Sequence, residues 1–176
     1  MKRKIDLIRV QASPLSRSRG RLTVGGVSYP CVLGRSGVAA TKREGDGVTP
    51  RAALPLRGLF QRLDRAPRIP SQLAFRAIRP QDAWCDDVCD RRYNTLIQRP
   101  LDQNAEERLT RGDRLYDVIV PLGWNDAPIV KGRGSAIFWH VSRENNAPTA
   151  GCVAVAPAVF RKVLPRLSRH AVMIID

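Results

Sequence analysis

Between Gly132 and Ala156 the chain gathers the residue types that acyl-transfer chemistry uses: His140, Ser142, Thr149, Gly151 and Cys152. A thiol attacks a carbonyl only as its thiolate, and a nearby imidazole can take the proton and balance the charge that results. In that arrangement Cys152 is the nucleophile and His140 the base that later returns the proton. Gly151, having no Cβ, permits close approach of a substrate, and backbone N–H groups around Cys152 can stabilise the oxyanion of a tetrahedral intermediate. Ser142 and Thr149 add hydroxyl donors. Residue type and spacing alone favour a second account, in which Cys152 is a small buried hydrophobe and His140 a structural side chain.

For the pair to meet, a strand and a return loop must carry them. Along a strand through Ser135 to Ser142, Phe138, His140 and Ser142 share one face while Ile137, Trp139 and Val141 share the other. The polar connection from Arg143 to Gly151, with Pro148, is suited to loop back and present Cys152 to the imidazole. Pro157 then fits a first helical turn, and Val159, Phe160, Val163, Leu164 and Leu167 recur at helical spacing until Pro165 shortens the helix. Ala171 to Ile175 reads as a closing strand.

Upstream, Ile5 to Val10 and Arg21 to Leu33 are rich in β-formers, the second split into a hairpin at Gly25-Gly26. Gly34 to Pro50 reads as a loop and Leu54 to Leu63 has no clear period, being broken by Pro55 and Gly58. Leu73 to Ile78 and Tyr116 to Val120 read as strands. Cys85 to Thr110 is polar and aperiodic, which predicts a surface excursion with a short helix over Asn104 to Thr110. Many short strands with few helices predict a mainly β sandwich or barrel.

The 176 residues, 43% of them hydrophobic, suffice for one soluble domain spanning 1–176. A formal charge of +14 creates a field attractive to anionic polymers, but the basic residues are scattered, as on a solvated surface. No run approaches the roughly 18 apolar residues of a membrane-spanning helix. The basic start Met1-Lys2-Arg3-Lys4 is followed by no apolar stretch of signal-peptide length, so no signal peptide is visible. Four cysteines form no zinc-ribbon spacing. Cys85 and Cys89 would need further ligands to bind a metal, and drawing on His140 and Cys152 would consume the proposed pair; a local disulfide or a substrate-facing loop with free thiols fits better.

The segment His140-x-Ser142, a short loop, then Thr149-x-Gly151-Cys152 resembles the catalytic signature of the bacterial, YkuD-like L,D-transpeptidases. Lys42-Arg43-Glu44-Gly45-Asp46-Gly47-Val48-Thr49-Pro50 resembles the same family's upstream segment, Lys-x-Glu-Gly-Asp-x-x-Thr-Pro. The resemblance implies a β-sandwich with short helices, no cofactor and no metal. It also implies a cell-envelope location and a cysteine acyltransferase acting at the third residue of peptidoglycan stem peptides. Cys152 would be acylated by a donor tetrapeptide with loss of the terminal D-alanine, then deacylated by an amine or by water.

Two positions depart from the commoner pattern: Ala150 stands where many members have His or Lys, and Ala154 where many have Arg or Asn. Arg133 or Arg143 is the expected substitute for holding a substrate carboxylate through a charge-assisted hydrogen bond, and each also reads as an ordinary exposed arginine. Trp124, beside Asn125, reads either as a lining of the site or as core. Three activities fit the residues: transpeptidation, hydrolysis through the same acyl-enzyme as a carboxypeptidase or amidase, and non-catalytic binding of an anionic polymer, nucleic acid or envelope polymer, with Cys152 structural. Specific nucleic-acid binding is disfavoured, since aromatic residues make up only 6% of the chain and no zinc-finger spacing occurs.

Overall fold

A computed structural model describes residues 4–100 and 107–176. The chain opens with a long meander, β1 (Ile5–Ser13), β2 (Ser16–Val24) and β3 (Val27–Val32). Two short pieces, β4 (Val38–Ala39) and β5 (Thr49–Pro50), bracket the glycine-rich loop. β6 (Ala53–Pro55), β7 (Leu59–Gln61), β8 (Phe75–Ala77), β9 (Asp82–Trp84), β10 (Leu96–Gln98) and β11 (Glu107–Arg108) follow. β12 (Val118–Pro121), β13 (Phe138–Val141) and β14 (Val153–Val155) lead into helix α1 (Pro157–Val163), a 3-10 turn at Leu164–Arg166, and β15 (Leu167–Ile175).

Ten strands form one curled sheet in the order β6-β15-β1-β2-β3-β14-β13-β12-β7-β8. The curl has a visible cause. Beyond β6, the Leu56 N–H donates to Ala171 of β15 at 3.1 Å, while the Arg57 N–H reaches the Pro121 carbonyl at 2.9 Å and the Gly123 N–H reaches the Pro55 carbonyl at 2.8 Å. One segment therefore pairs with the first strands of the sheet and with β12 near its far end, so the sheet folds back on itself and leaves less open edge.

Alternation along the strands separates two cores. Val118, Val120, Ile137, Trp139 and Val141 join Ile8, Val10, Leu22 and Val24 inside the curl, where α1 inserts Val159, Phe160 and Val163. Trp139 and Phe160, both 0% exposed, lie with ring centroids 4.6 Å apart. On the opposite face Ile119, Phe138 and Cys152 join Ile78, Leu109 and Tyr116 in a smaller cluster. The two faces expected of the His140 strand are thus realised, although β13 begins only at Phe138, because Ala136 just before it has a φ of +50° that no strand accommodates.

The mainly β expectation holds, as does the helix after Cys152, with Pro157 in its first turn and Pro165 inside the 3-10 turn that ends it. The excursion from Cys85 to Thr110 is different from its sequence reading. Strands β10, β9 and β11 form a separate three-stranded sheet that buries Ala83, Cys85 and Ile97. These strands are two or three residues long, too short for alternation to register. The helix expected over Asn104 to Thr110 lies partly outside the described residues; Glu107 and Arg108 pair with Trp84 and Ala83 as a strand instead. No described helix is long and apolar enough to cross a membrane.

Because Phe160 fills the space between α1 and Trp139, Phe160→Ala should lower unfolding stability by about 3–5 kcal/mol, measured by urea denaturation. A loss below about 1 kcal/mol would mean that α1 does not seal this core.

Candidate active site

Parallel strands β13 and β14 pair Trp139 with Val153 and His140 with Ala154. That register brings Cys152, immediately before β14, and His140 to one cavity of about 440 Å³. Both are buried, 7% and 5% exposed. The sulfur donates to the Ala136 carbonyl at 3.2 Å and accepts the Phe138 N–H at 3.4 Å. His140 Nδ1 lies 2.8 Å from the Val141 carbonyl. A carbonyl only accepts, so Nδ1 carries the hydrogen and Nε2 keeps its lone pair. At rest, therefore, backbone groups hold the thiol and the imidazole separately, with no hydrogen bond between the two.

Burial sets their protonation. It pushes the Cys152 thiol up to about 12, against the lowering effect of the Phe138 N–H; Glu107 adds to the rise and Lys42 opposes it. Burial likewise lowers His140 to about 4, the bond to Val141 opposing. At neutral pH the cavity holds a neutral thiol and a neutral base rather than an ion pair. Tyr116, edge-on to His140 at 5.4 Å, is held in its phenol form by burial, with Glu107 adding to the effect.

The turn before Cys152 is fastened by one hydroxyl. Thr149 Oγ1 donates to the Cys152 carbonyl at 2.7 Å and accepts the Gly151 N–H at 3.1 Å. Both Thr149 and the Gly151 amide are thus engaged within the turn, which makes Thr149 a positioning residue. Gly151 has a φ of +137°, and a Cβ there would stand 2.7 Å from the Val48 carbonyl oxygen and 3.3 Å from Lys42 Nζ. Gly34 is equally confined: a Cβ would fall 2.1 Å from the Gly47 carbonyl oxygen and 3.1 Å from Gly151 Cα. The loop from Lys42 to Pro50 is therefore packed directly on the Gly151-Cys152 turn.

Four polar side chains of that loop, Lys42, Glu44, Asp46 and Thr49, have partners. Thr49 Oγ1 accepts the Gly34 N–H at 2.8 Å. Asp46 accepts from the Arg43 and Val48 N–H groups and from Lys42 Nζ, which together outweigh burial and hold its carboxyl below the usual range. Glu44 accepts from the Tyr93 hydroxyl and from Ser135 Oγ. Asn94, buried with a φ of +59°, takes the Ala136 N–H at 3.2 Å and the Trp84 indole N–H at 3.0 Å on one oxygen, while its amide donates to Trp124 and Asn125 carbonyls. The stretch from Trp84 to Asn94 thus supports the entry to β13. Its cysteines differ: Cys85 is buried and Cys89 exposed, and they are not joined in a disulfide.

Of the other residues singled out in the sequence, Arg143 and Thr149 line the cavity, together with Ala150 and Ala154. Ser142 lies outside it, its N–H on the Val155 carbonyl. Trp124 and Arg133 lie on a different hollow: the indole N–H donates to the Arg133 carbonyl at 2.8 Å while the ring packs on the main core, so Trp124 braces its own loop. Spacing gave no signal for Lys42, Glu107, Arg111 or Tyr116, which also line the cavity. Of these four, only Lys42 falls in a segment that carries the family resemblance, as its first residue.

A family profile described as YkuD, L,D-transpeptidase catalytic domain, matches residues 16–175. The chain belongs to that family. L,D-transpeptidases of this kind act on peptidoglycan peptides and are generally cell-envelope enzymes. No curated protein and no solved structure matches the chain.

Thr149→Val should cost about 1–3 kcal/mol in urea denaturation, because two buried backbone groups of the Gly151-Cys152 turn lose their partner. Thr149→Ser should stay close to wild type; equal losses in both variants would show that the hydroxyl does not hold the turn.

Proposed function

We propose that this L,D-transpeptidase-family domain, the whole chain acting as one unit, performs cysteine acyl transfer on peptidoglycan stem peptides. The observation that carries the reading is that Cys152 and His140, delivered by adjacent strands, open onto one cavity above a turn fixed by Thr149. A donor tetrapeptide enters with its third-residue carbonyl against Cys152. The sulfhydryl leaves the Ala136 carbonyl and passes its proton to His140 Nε2, and the sulfur pair attacks the carbonyl carbon. Collapse of the tetrahedral intermediate breaks the amide bond; the imidazolium returns the proton to the departing D-alanine amine, leaving a thioester on Cys152. An acceptor amine gives its proton to His140, attacks the thioester and releases the cross-linked peptide and the thiol.

Gly151 contributes room rather than a free amide, since its N–H is engaged by Thr149. Arg143 is the better candidate for a substrate carboxylate: it lines the cavity and makes no side-chain hydrogen bond or salt bridge to a described residue, whereas Arg133 lies elsewhere. Ala154 leaves the strand floor beside His140 open. The cell-wall role, cross-linking or remodelling in the envelope, follows from this chemistry.

A carbapenem should acylate the protein once, seen as a single adduct by intact mass, and Cys152→Ala should abolish it. Folded wild-type protein that stays unmodified would sink the proposal. The pH profile of acylation carries a second expectation. His140 works as a base only when unprotonated, so with its value lowered to about 4 the acid limb should fall as pH drops through about 4 rather than through the ordinary histidine range. An acid limb centred near 6.5 would assign the proton transfer to a solvated group.

A further inference from the structure

The reaction above leaves one buried charge on the cavity wall unused. Lys42 is 6% exposed, its side chain 2%, and its ammonium donates to Asp46 Oδ1 at 2.9 Å and to the Arg43 carbonyl at 3.4 Å. Its methylene stem runs beside Gly134, where a Cβ would come within 2.7 Å of Lys42 Cε, and its tip lies beside Gly151. Packing on both sides fixes the ammonium, so the charge does not swing out to solvent. Desolvated lysine is costly unless its charge meets a compensating one. Asp46 supplies part of that, but Asp46 is itself engaged by two backbone N–H groups and is a quarter exposed.

We propose that Lys42 is the fixed cation of the site: it stabilises the negative charge that develops on Cys152 when the thiol proton moves to His140, taking the place of the basic or amide side chain missing at Ala154. This rests on the acyl-transfer reading of the same cavity. The charged and titratable groups lining the cavity with Cys152 are Arg35, whose exposed guanidinium donates to the Gly45 carbonyl at 2.8 Å, Lys42 and Glu44 from the loop, with Asp46 behind Lys42, Asp86 from the three-stranded sheet's connection, Glu107, Arg111 and Tyr116 from the opposite wall, and His140 and Arg143 from β13 and its loop. Glu107 is engaged by Arg111 at 3.1 Å and by the Tyr116 hydroxyl, and Glu44 by Tyr93 and Ser135. Arg111 is held by Glu107 and Asp113. Lys42 is the cation packed against the nucleophile's own turn.

Two substitutions separate an electrostatic role from a merely structural one. Lys42→Met keeps bulk and removes the positive charge; Asp46→Asn breaks the same ion pair but leaves the cation. Cys152 alkylation by iodoacetamide, followed at the Cys152 peptide by mass spectrometry from pH 7 to 10.5, reads the thiolate directly. Lys42→Met should slow alkylation at a given pH about tenfold, as a shift of one pH unit in the thiol titration requires, and Asp46→Asn should leave the rate unchanged or raise it. Equal slowing in both variants, or no change in Lys42→Met, overturns the proposal. Should Lys42→Met fail to fold, Asp46→Asn alone still decides: slower alkylation overturns the idea. Because the readout is thiol titration rather than acyl transfer, it is independent of the carbapenem result. A Cys152 that ignores Lys42 yet takes the drug removes only this inference, and one that responds to Lys42 yet refuses the drug removes only the transpeptidase reading.

Discussion

Everything at the site depends on a contact between two stretches of backbone that leaves no room for a methyl group. The loop from Lys42 to Pro50 and the Gly151-Cys152 turn approach so closely that only glycine fits at Gly34 and Gly151. From that contact follow the direction of Cys152, the seat of Lys42 and the pairing of Thr149 with the Leu33-Arg35 backbone. Close packing of this kind transmits displacement, because the interior has few voids to absorb it. A change in the loop would therefore be felt at the sulfur, although the two are more than a hundred residues apart in sequence.

Desolvation is the largest influence on both chemical groups, and it acts in the same direction on each: it favours the neutral thiol and the neutral imidazole. The site thus holds its reactivity back until something changes the balance. In the proposed reaction, substrate entry does so by displacing the thiol from the Ala136 carbonyl and by presenting an electrophile, so charge appears only along the reaction path. A site organised this way spares its cysteine from adventitious oxidation, which proceeds through the thiolate.

Much of this was legible before any coordinates. The two-faced character of the His140 strand follows from alternation, and the helix after Cys152 from Pro157 and the spacing of Val159, Phe160 and Val163. The link between the two resembling segments was not legible, because nothing in local sequence says that Glu44 reaches Tyr93 and Ser135, or that Asn94 holds Ala136. Such contacts join residues far apart in the chain, and one polar side chain per partner leaves no periodic trace. Trp124 stayed open between two readings for a related reason: an aromatic residue near a glycine-rich loop fits a binding wall as well as a packed brace, and the indole bond to Arg133 with the ring's packing on the main core distinguishes them. The three-stranded sheet escaped notice because its strands are too short to alternate.

The parallel pairing of β1 with β15 has a consequence for how the molecule comes into being. Val10 meets Ile175 and Ile5 meets Leu167, so one neighbour of β1 is supplied only when synthesis has passed through β15. Until then β1 has β2 on one side and a bare edge on the other, with Ile8 and Val10 lacking the wall that Met173 and Ile175 provide. Contacts of such long sequence separation carry a large loop-closure cost and form slowly. The nascent chain must carry an unfinished sheet through translation, so its vulnerability to strand-edge association lies in biogenesis more than in the finished protein.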